Sequence, residues 1–162
     1  MIRPATVDDL AVVVRLVHEL AEYEREPDSV VATEDHFRTA LFGPTPLAHC
    51  LVAEDPVDGD RGGEVVGFAI WFVNFSTWLG THGVYLEDLF VRPEARGGGH
   101  GRALLTELAR IAVERGYGRV EWAVLDWNEP ARGFYRSLGA APQDEWTLWR
   151  LTGDALKALG TA

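Results

Sequence analysis

Hydrophobic and polar positions along the chain alternate between a helical and an extended period. Leu10, Val13, Val17, Leu20 and Ala21 recur at helical spacing after Thr6-x-x-Asp9, a capping-box pattern with Asp in place of Glu. Pro27 stops that helix beyond an acidic end, where Glu19, Glu22, Glu24 and Glu26 surround Tyr23. A second helix is predicted from Thr33 to about Phe42, with Phe37, Ala40 and Leu41 inward and Gly43-Pro44 closing it. Ala48 to Glu54 and Glu64 to Asn74 read as the strands of an antiparallel hairpin with a turn-rich loop, and Ile2 to Ala5 as a short extended start. Tyr85 to Val91 can alternate through a sheet and ends at Arg92-Pro93, because Pro93 fixes φ and removes a ladder donor. Leu104, Leu105, Leu108, Ile111 and Ala112 then return to the helical period until Gly116. Arg119 to Leu125 is predicted as a strand. Ala131, Phe134, Tyr135 and Leu138 share a helix with Asn128 or Glu129 as cap, Trp146 to Leu151 is a last strand, and Gly153 to Leu159 a short terminal helix. Hairpins mixed with crossovers predict an α/β (α+β) fold, a mixed sheet flanked by helices.

The densest chemistry lies between the strand Tyr85 to Val91 and the helix after it, where Gly97, Gly98, Gly99 and Gly101 fall at a helix N-terminus. Backbone without Cβ atoms can take φ > 0 and approach a ligand closely, and several N–H groups can point at one phosphate with help from the helix dipole. No Lys-Ser or Lys-Thr closes a nucleoside-triphosphate loop, and the glycine spacing is not G-x-G-x-x-G. What remains is Arg96-x-x-Gly99-x-Gly101 directly after a strand, a cradle for a phosphorylated cofactor with a flexible turn as the alternative.

At 162 residues the chain is expected to form one domain spanning 1–162. Hydrophobic residues make up 47% of it, enough for a packed body. A net charge of −10 argues against nucleic acid and anionic membrane surfaces and favours cationic partners. An anionic cofactor must then be held by local N–H groups with Arg96 and Arg102 nearest. The lone Cys50 lies in an apolar run and reads as a buried strand residue. No run of 18 apolar residues and no leader-like N-terminus is present, so a cytoplasmic protein is expected. Asp55, Asp58 and Asp60 lack the calcium-loop pattern, and the five histidines show no ligand spacing, so no metal is expected.

The glycine motif after its strand resembles the acetyl-coenzyme A motif of the Gcn5-related N-acetyltransferases (GNAT). The segments IRPAT, HELAEYE, HCLVAE, VGFAI, YLEDLFV and AVLDWNEPARGFYRSLGA are similar to diamine acetyltransferases of the spermidine/spermine type and their thialysine-acetylating relatives. The resemblance implies the GNAT fold: a mixed, mostly antiparallel twisted sheet with splayed central strands, Tyr85 to Val91 and Arg119 to Leu125, holding acetyl-CoA. It implies that main-chain groups of Leu89, Phe90 and Val91 meet the pantetheine and that N–H groups from Gly97 through His100 and Gly101 to Arg102 hold the pyrophosphate. Asn128 and the helix start at Ala131 would lie along the cofactor. Tyr135 would be the general acid for the departing thiolate, and Glu87 would help deprotonate the amine. Tyr23, Glu24, Trp78, Glu87 and Asp88 match substrate-contacting positions. Relatives are homodimers with substrate sites near the subunit interface, so a homodimer is expected. Where polyamine enzymes carry acidic residues before the last Trp-Arg-Leu, this chain has Glu145 to Arg150, and AVLDWN with FSTW leans toward the thialysine side.

The chemistry asks for the same groups. An alkylamine with a pKa of about 10.4 is neutral in roughly one molecule in a few thousand at pH 7, and only the neutral form attacks a thioester. A carboxylate must hold the cation and help remove its proton, a main-chain N–H near Leu89 must meet the oxyanion, and an acid must protonate the thiolate. Glu87 and Asp88 alternate along a strand, so they are expected to face opposite sides, with Glu87 catalytic. Tyr135 as a plain core aromatic is the competing reading of that residue. Rival functions are a GNAT enzyme acting on a protein N-terminus, an amino acid or an aminoglycoside, and a non-catalytic acyl-CoA sensor.

Overall fold

The computed structural model describes residues 1–56 and 63–162. The loop aspartates Asp58 and Asp60 weighed above as calcium ligands lie outside the described residues. The chain divides into two compact units, 1–123 and 124–162.

In the first unit, β1 (Ile2–Pro4), β2 (His49–Asp55), β3 (Glu64–Ser76), β4 (Thr81–Val91) and β5 (Val120–Glu121) form one sheet in sequence order. The first four pair antiparallel and β5 joins β4 in parallel, giving the mixed, mostly antiparallel sheet expected. Cross-strand partners share a face, so the register sorts the core. Val52 lies opposite Phe68, Phe68 opposite Phe90, and Cys50 opposite Ile70. These residues pack with Val13, Leu16 and Leu20 of α1 (Leu10–Tyr23) and Leu41 of α2 (Glu34–Phe42). The other face carries Leu51, Ala69 and Trp71 beneath α3 (His100–Glu114), which buries Leu104, Leu105, Leu108 and Ala112.

The local signals act as predicted at most element ends. The Asp9 carboxylate accepts from the Thr6 N–H at 2.7 Å, although the chain makes a 3-10 turn over Val7–Asp9 before α1 begins. Thr33 Oγ1 accepts from the His36 N–H at the start of α2. Asp9 is itself held by two nitrogens of Arg3 at 2.7 and 2.8 Å, and the Nε of Arg3 reaches Glu54 at 2.8 Å, so α1 is clamped to β1 and β2. Gly83 is demanded by close approach, since a Cβ there would meet Asn74 Oδ1 at 2.6 Å and the Arg119 carbonyl at 3.1 Å.

The second unit contains α4 (Glu129–Ser137) and α5 (Gly153–Gly160). Two expectations fail. The strand predicted over Arg119 to Leu125 is confined to Val120–Glu121, and Trp146 to Leu151 forms no strand. Alternation alone does not make a strand, which forms only where a neighbouring strand satisfies its backbone groups.

Candidate active site

The break in the β3–β4 ladder creates the site. Ile70 lies opposite Asp88, whereas the next residue, Trp71, lies opposite Leu86, so Glu87 is an extra residue without a ladder partner. Such a bulge bends a strand and re-aims the side chains beyond it. It breaks the period of two between Tyr85 and Asp88: Asp88 shares the α1 face with Ile70 and Phe90, the face that also carries the pair Phe72 and Tyr85, whose rings are 5.0 Å apart. Counting by two from Asp88 would have put Tyr85 on the opposite side. The aromatic pair was therefore invisible to the sequence pattern.

Helix α1 delivers the second acid. It closes with bonds from the Arg25 N–H to Glu22 O and from the Glu26 N–H to Ala21 O, while Arg25 takes the left-handed conformation at φ 66. Glu24 is the C-cap residue inside this closure. Burial raises the Glu24 pKa. Burial, followed by the charges of Glu87 and Glu24, pushes Asp88 up to about 6. Glu24, Glu87 and Asp88 thus form one electrostatic cluster, an attractive environment for a cation. Glu87 itself is exposed.

Arg96 ties this cluster to the glycine loop. Its guanidinium lies 4.7 Å from the Tyr23 ring centroid and 5.8 Å from that of Phe90, and its Nε donates to the Val91 carbonyl at 3.0 Å. The side chain therefore braces Tyr23 against the end of β4. Beyond it Gly97 and Gly99 take φ values of 87 and 84, with open space where a Cβ would project, and Gly99 is the N-cap of α3. Gly98, Gly101 and Arg102 complete the loop and the first turn. The His100 ring meets Asp55 Oδ1 at 2.9 Å, anchoring the loop to the end of β2. Sequence spacing gave no hint of this pair.

On the far side of β4, pairing with β5 is confined to Val84 and Tyr85. From Leu86 to Val91 that edge has no strand neighbour among the described residues, which leaves main-chain groups around Leu89 and Phe90 available to a ligand. An open strand edge leading to left-handed glycines at a helix N-terminus fits an extended molecule ending in phosphates.

Trp78 lies elsewhere. It occupies the β3–β4 turn and is 85% exposed, and the seven residue steps from Thr81 to Asp88 span about 23 Å. The structure does not bring it to the acid cluster of its own chain. In the second unit Asn128 caps α4, its Oδ1 accepting from the Ala131 N–H at 3.3 Å, and Tyr135 follows one turn later with its ring 5.5 Å from that of Phe134.

The sequence model described as the acetyltransferase (GNAT) family matches residues 13–140. A thialysine N-epsilon-acetyltransferase of Bos taurus is 40% identical over 164 residues, covering 98% of this chain and 96% of that protein. An L-ornithine N5-acetyltransferase of Arabidopsis thaliana is 36% identical, covering 98% of this chain and 86% of that protein. Among solved structures, an integron cassette protein from the mobile metagenome of V. cholerae superposes with a TM-score of 0.78 at 29% identity, covering 100% of this chain and 98% of that one.

Proposed function

Because the chain belongs to the acetyltransferase (GNAT) family and is an N-acetyltransferase, we propose that it moves acetyl from acetyl-CoA to a primary amine of a small cationic acceptor of the thialysine, lysine or ornithine kind. The observation that supports this reading is Asp88 beside the bulge at Glu87, its pKa raised to about 6 by burial and then by the charges of Glu87 and Glu24. A cationic amine is drawn there in a chain whose net charge is −10.

Acetyl-CoA supplies the activated thioester. The amine must lose a proton before it attacks, and the acceptor of that proton should have a pKa not far below the working pH. Asp88 meets this condition at about 6, so we assign it the proton and Glu87 and Glu24 the cation, where the sequence alone favours Glu87. A main-chain N–H near Leu89 on the open β4 edge is assigned to the developing oxyanion. Tyr135 is assigned as the acid that protonates the thiolate, with Asn128 and Ala131 alongside the cofactor, by its place in the N-E-P-x-x-x-F-Y segment. No covalent enzyme intermediate is invoked, since burial raises the Cys50 thiol to about 12. Residues 1–162 are proposed to act as one catalytic domain in a cytoplasmic homodimer. Trp78 would then serve the site of the second copy.

Acetyl-CoA-dependent thiol release should be measured with putrescine, spermidine, spermine, lysine, thialysine, ornithine and a peptide N-terminus. Turnover concentrated on thialysine, lysine or ornithine is expected. Turnover only with the peptide, or with none of the amines while acetyl-CoA still binds, overturns the proposal.

A further inference from the structure

Arg96 opens the glycine loop, and that place in the sequence suggests a phosphate partner. Its side chain turns the other way. The guanidinium sits over the Tyr23 ring at 4.7 Å and the Phe90 ring at 5.8 Å, while its Nε donates to the Val91 carbonyl. Phe90 belongs to the core shared with α1, and Tyr23 packs against that same core. The helix whose N-terminus carries the glycines, α3, covers the opposite face of the sheet. Arg96 therefore leaves the loop on the face of α1 and not on that of α3.

Two arginines tie α1 to the end of β4. Arg92 pairs with Glu19 at 2.9 Å, and one helical turn later Arg96 meets Tyr23, the last residue of α1. The first contact fixes the body of the helix. The second fixes only its final turn, where Glu24 follows Tyr23 directly and the chain closes through the left-handed Arg25. Holding Tyr23 thus also sets where the Glu24 carboxylate stands relative to Asp88. A planar guanidinium over a ring is a directional contact, which a lysine reproduces only in part.

We propose that Arg96 is a positioning residue for the acceptor site: by gripping Tyr23 it keeps Glu24 within reach of Asp88, and it does not hold the phosphates of the cofactor. This role rests on the acceptor reading above, in which a cationic amine meets Glu24 and Asp88. The charged groups that raise the Asp88 pKa are Glu87 on β4 and Glu24 from α1, and Arg96 is not among the groups that act on it. Removing a cation that acted on Asp88 would push that pKa further up, whereas releasing Glu24 lets it fall. The direction of the change separates the two.

The test is a ¹³C NMR titration of the Asp88 carboxyl in the intact protein without substrates. Arg96→Met should lower the midpoint from about 6 by a few tenths of a pH unit, and Arg96→Lys should lower it less. In a Glu24→Gln background Arg96→Met should cause no further fall, because the route through Glu24 is already gone. With lysine or thialysine as acceptor, Arg96→Met should raise KM for the amine by about fivefold or more. Its acetyl-CoA affinity, measured by calorimetry, should stay within about twofold of the parent's. The Arg92–Glu19 pair remains to hold α1 in the variant, and Tyr23→Leu, which removes the contact from its other side, should reproduce the fall if Arg96→Met does not fold. An unmoved or raised midpoint overturns the proposal, and so does an acetyl-CoA affinity weakened about tenfold or more. The titration needs no acceptor, so a failure of the acceptor reading shows in the amine panel and not here.

Discussion

Asp88 on β4 and Glu24 at the end of α1 belong to one electrostatic site: burial, Glu87 and then Glu24 raise the Asp88 pKa from its ordinary 3.8 to about 6. Between those two values the folded state keeps a proton that the unfolded chain has released. The stability contributed is complete below pH 3.8 and is lost as pH rises through about 6. At pH 8 an ionised Asp88 therefore destabilises the fold, by at most about 3 kcal/mol. Asp88→Asn should raise the melting temperature by several degrees at pH 8 and leave it nearly unchanged at pH 4. It should also lower kcat/KM by roughly 10² or more and remove the rise in activity centred near pH 6. Thermal scans at two pH values and a pH–rate profile check both halves. A variant that is both less stable and fully active excludes Asp88 from the role given to it.

Glu24→Gln should act through Asp88. Removing one of the charges that raises the Asp88 pKa should move the acidic limb of the pH–rate profile toward lower pH, while the loss of a cation partner raises KM for a diamine more than for a monoamine. An unmoved limb would separate Glu24 from the cluster.

How much of this was legible in the sequence depended on whether a feature is local. Thr6, Thr33, Pro93 and the glycines each act within a few residues, and their turns, caps and left-handed positions fall where the spacing put them. The bulge at Glu87 is not local, because it exists only as a mismatch between Asp88 opposite Ile70 and Leu86 opposite Trp71. Without it, the parity rule separates Asp88 from Tyr85 and misplaces the acid. The same limit explains Trp146 to Leu151, whose alternating side chains say nothing about whether a partner strand is present. The His100–Asp55 pair joins residues 45 apart, beyond any spacing rule.

Gly99→Ala probes the cradle. At φ 84 an alanine meets no neighbour but carries the left-handed penalty, about 1–2 kcal/mol. The strain falls at the N-cap of α3 and should displace the first N–H groups of the helix. Acetyl-CoA affinity, measured by calorimetry, should fall by about tenfold or more with a small loss of thermal stability, whereas Gly133→Ala, in α4 with open space and no positive φ, should leave the affinity unchanged.

Asp9 sets the acid limit of the fold. Its bonds to Arg3 chiefly, with those from Thr6, lower its pKa from 3.8 to about 2. A depressed carboxylate contributes stability that is present above the unfolded value and is lost as pH falls through the folded one, so the loss runs from about pH 4 to about pH 2. Arg3→Met should remove that step and leave Asp9 buried without its cation, at a cost of about 3 kcal/mol. Urea titrations at pH 7 and pH 3 check this, with the difference between variant and parent expected to shrink at the lower pH.

Tyr135→Phe tests the acid assigned to the leaving thiolate. The hydroxyl is removed while the ring beside Phe134 is kept, and α4 retains its Asn128 cap and the Arg136–Glu129 pair, so the helix should persist. General acid catalysis is worth roughly 10² to 10⁴, and kcat should fall by about that factor with KM for the amine little changed. A proton supplied by Tyr135 matters less as the leaving group becomes less basic. An acetyl thioester of a strongly acidic thiol should therefore recover most of the lost rate in the variant while accelerating the parent only slightly. Equal acceleration of both proteins, or a variant with the parent's kcat, would show that the thiolate leaves without help from this residue.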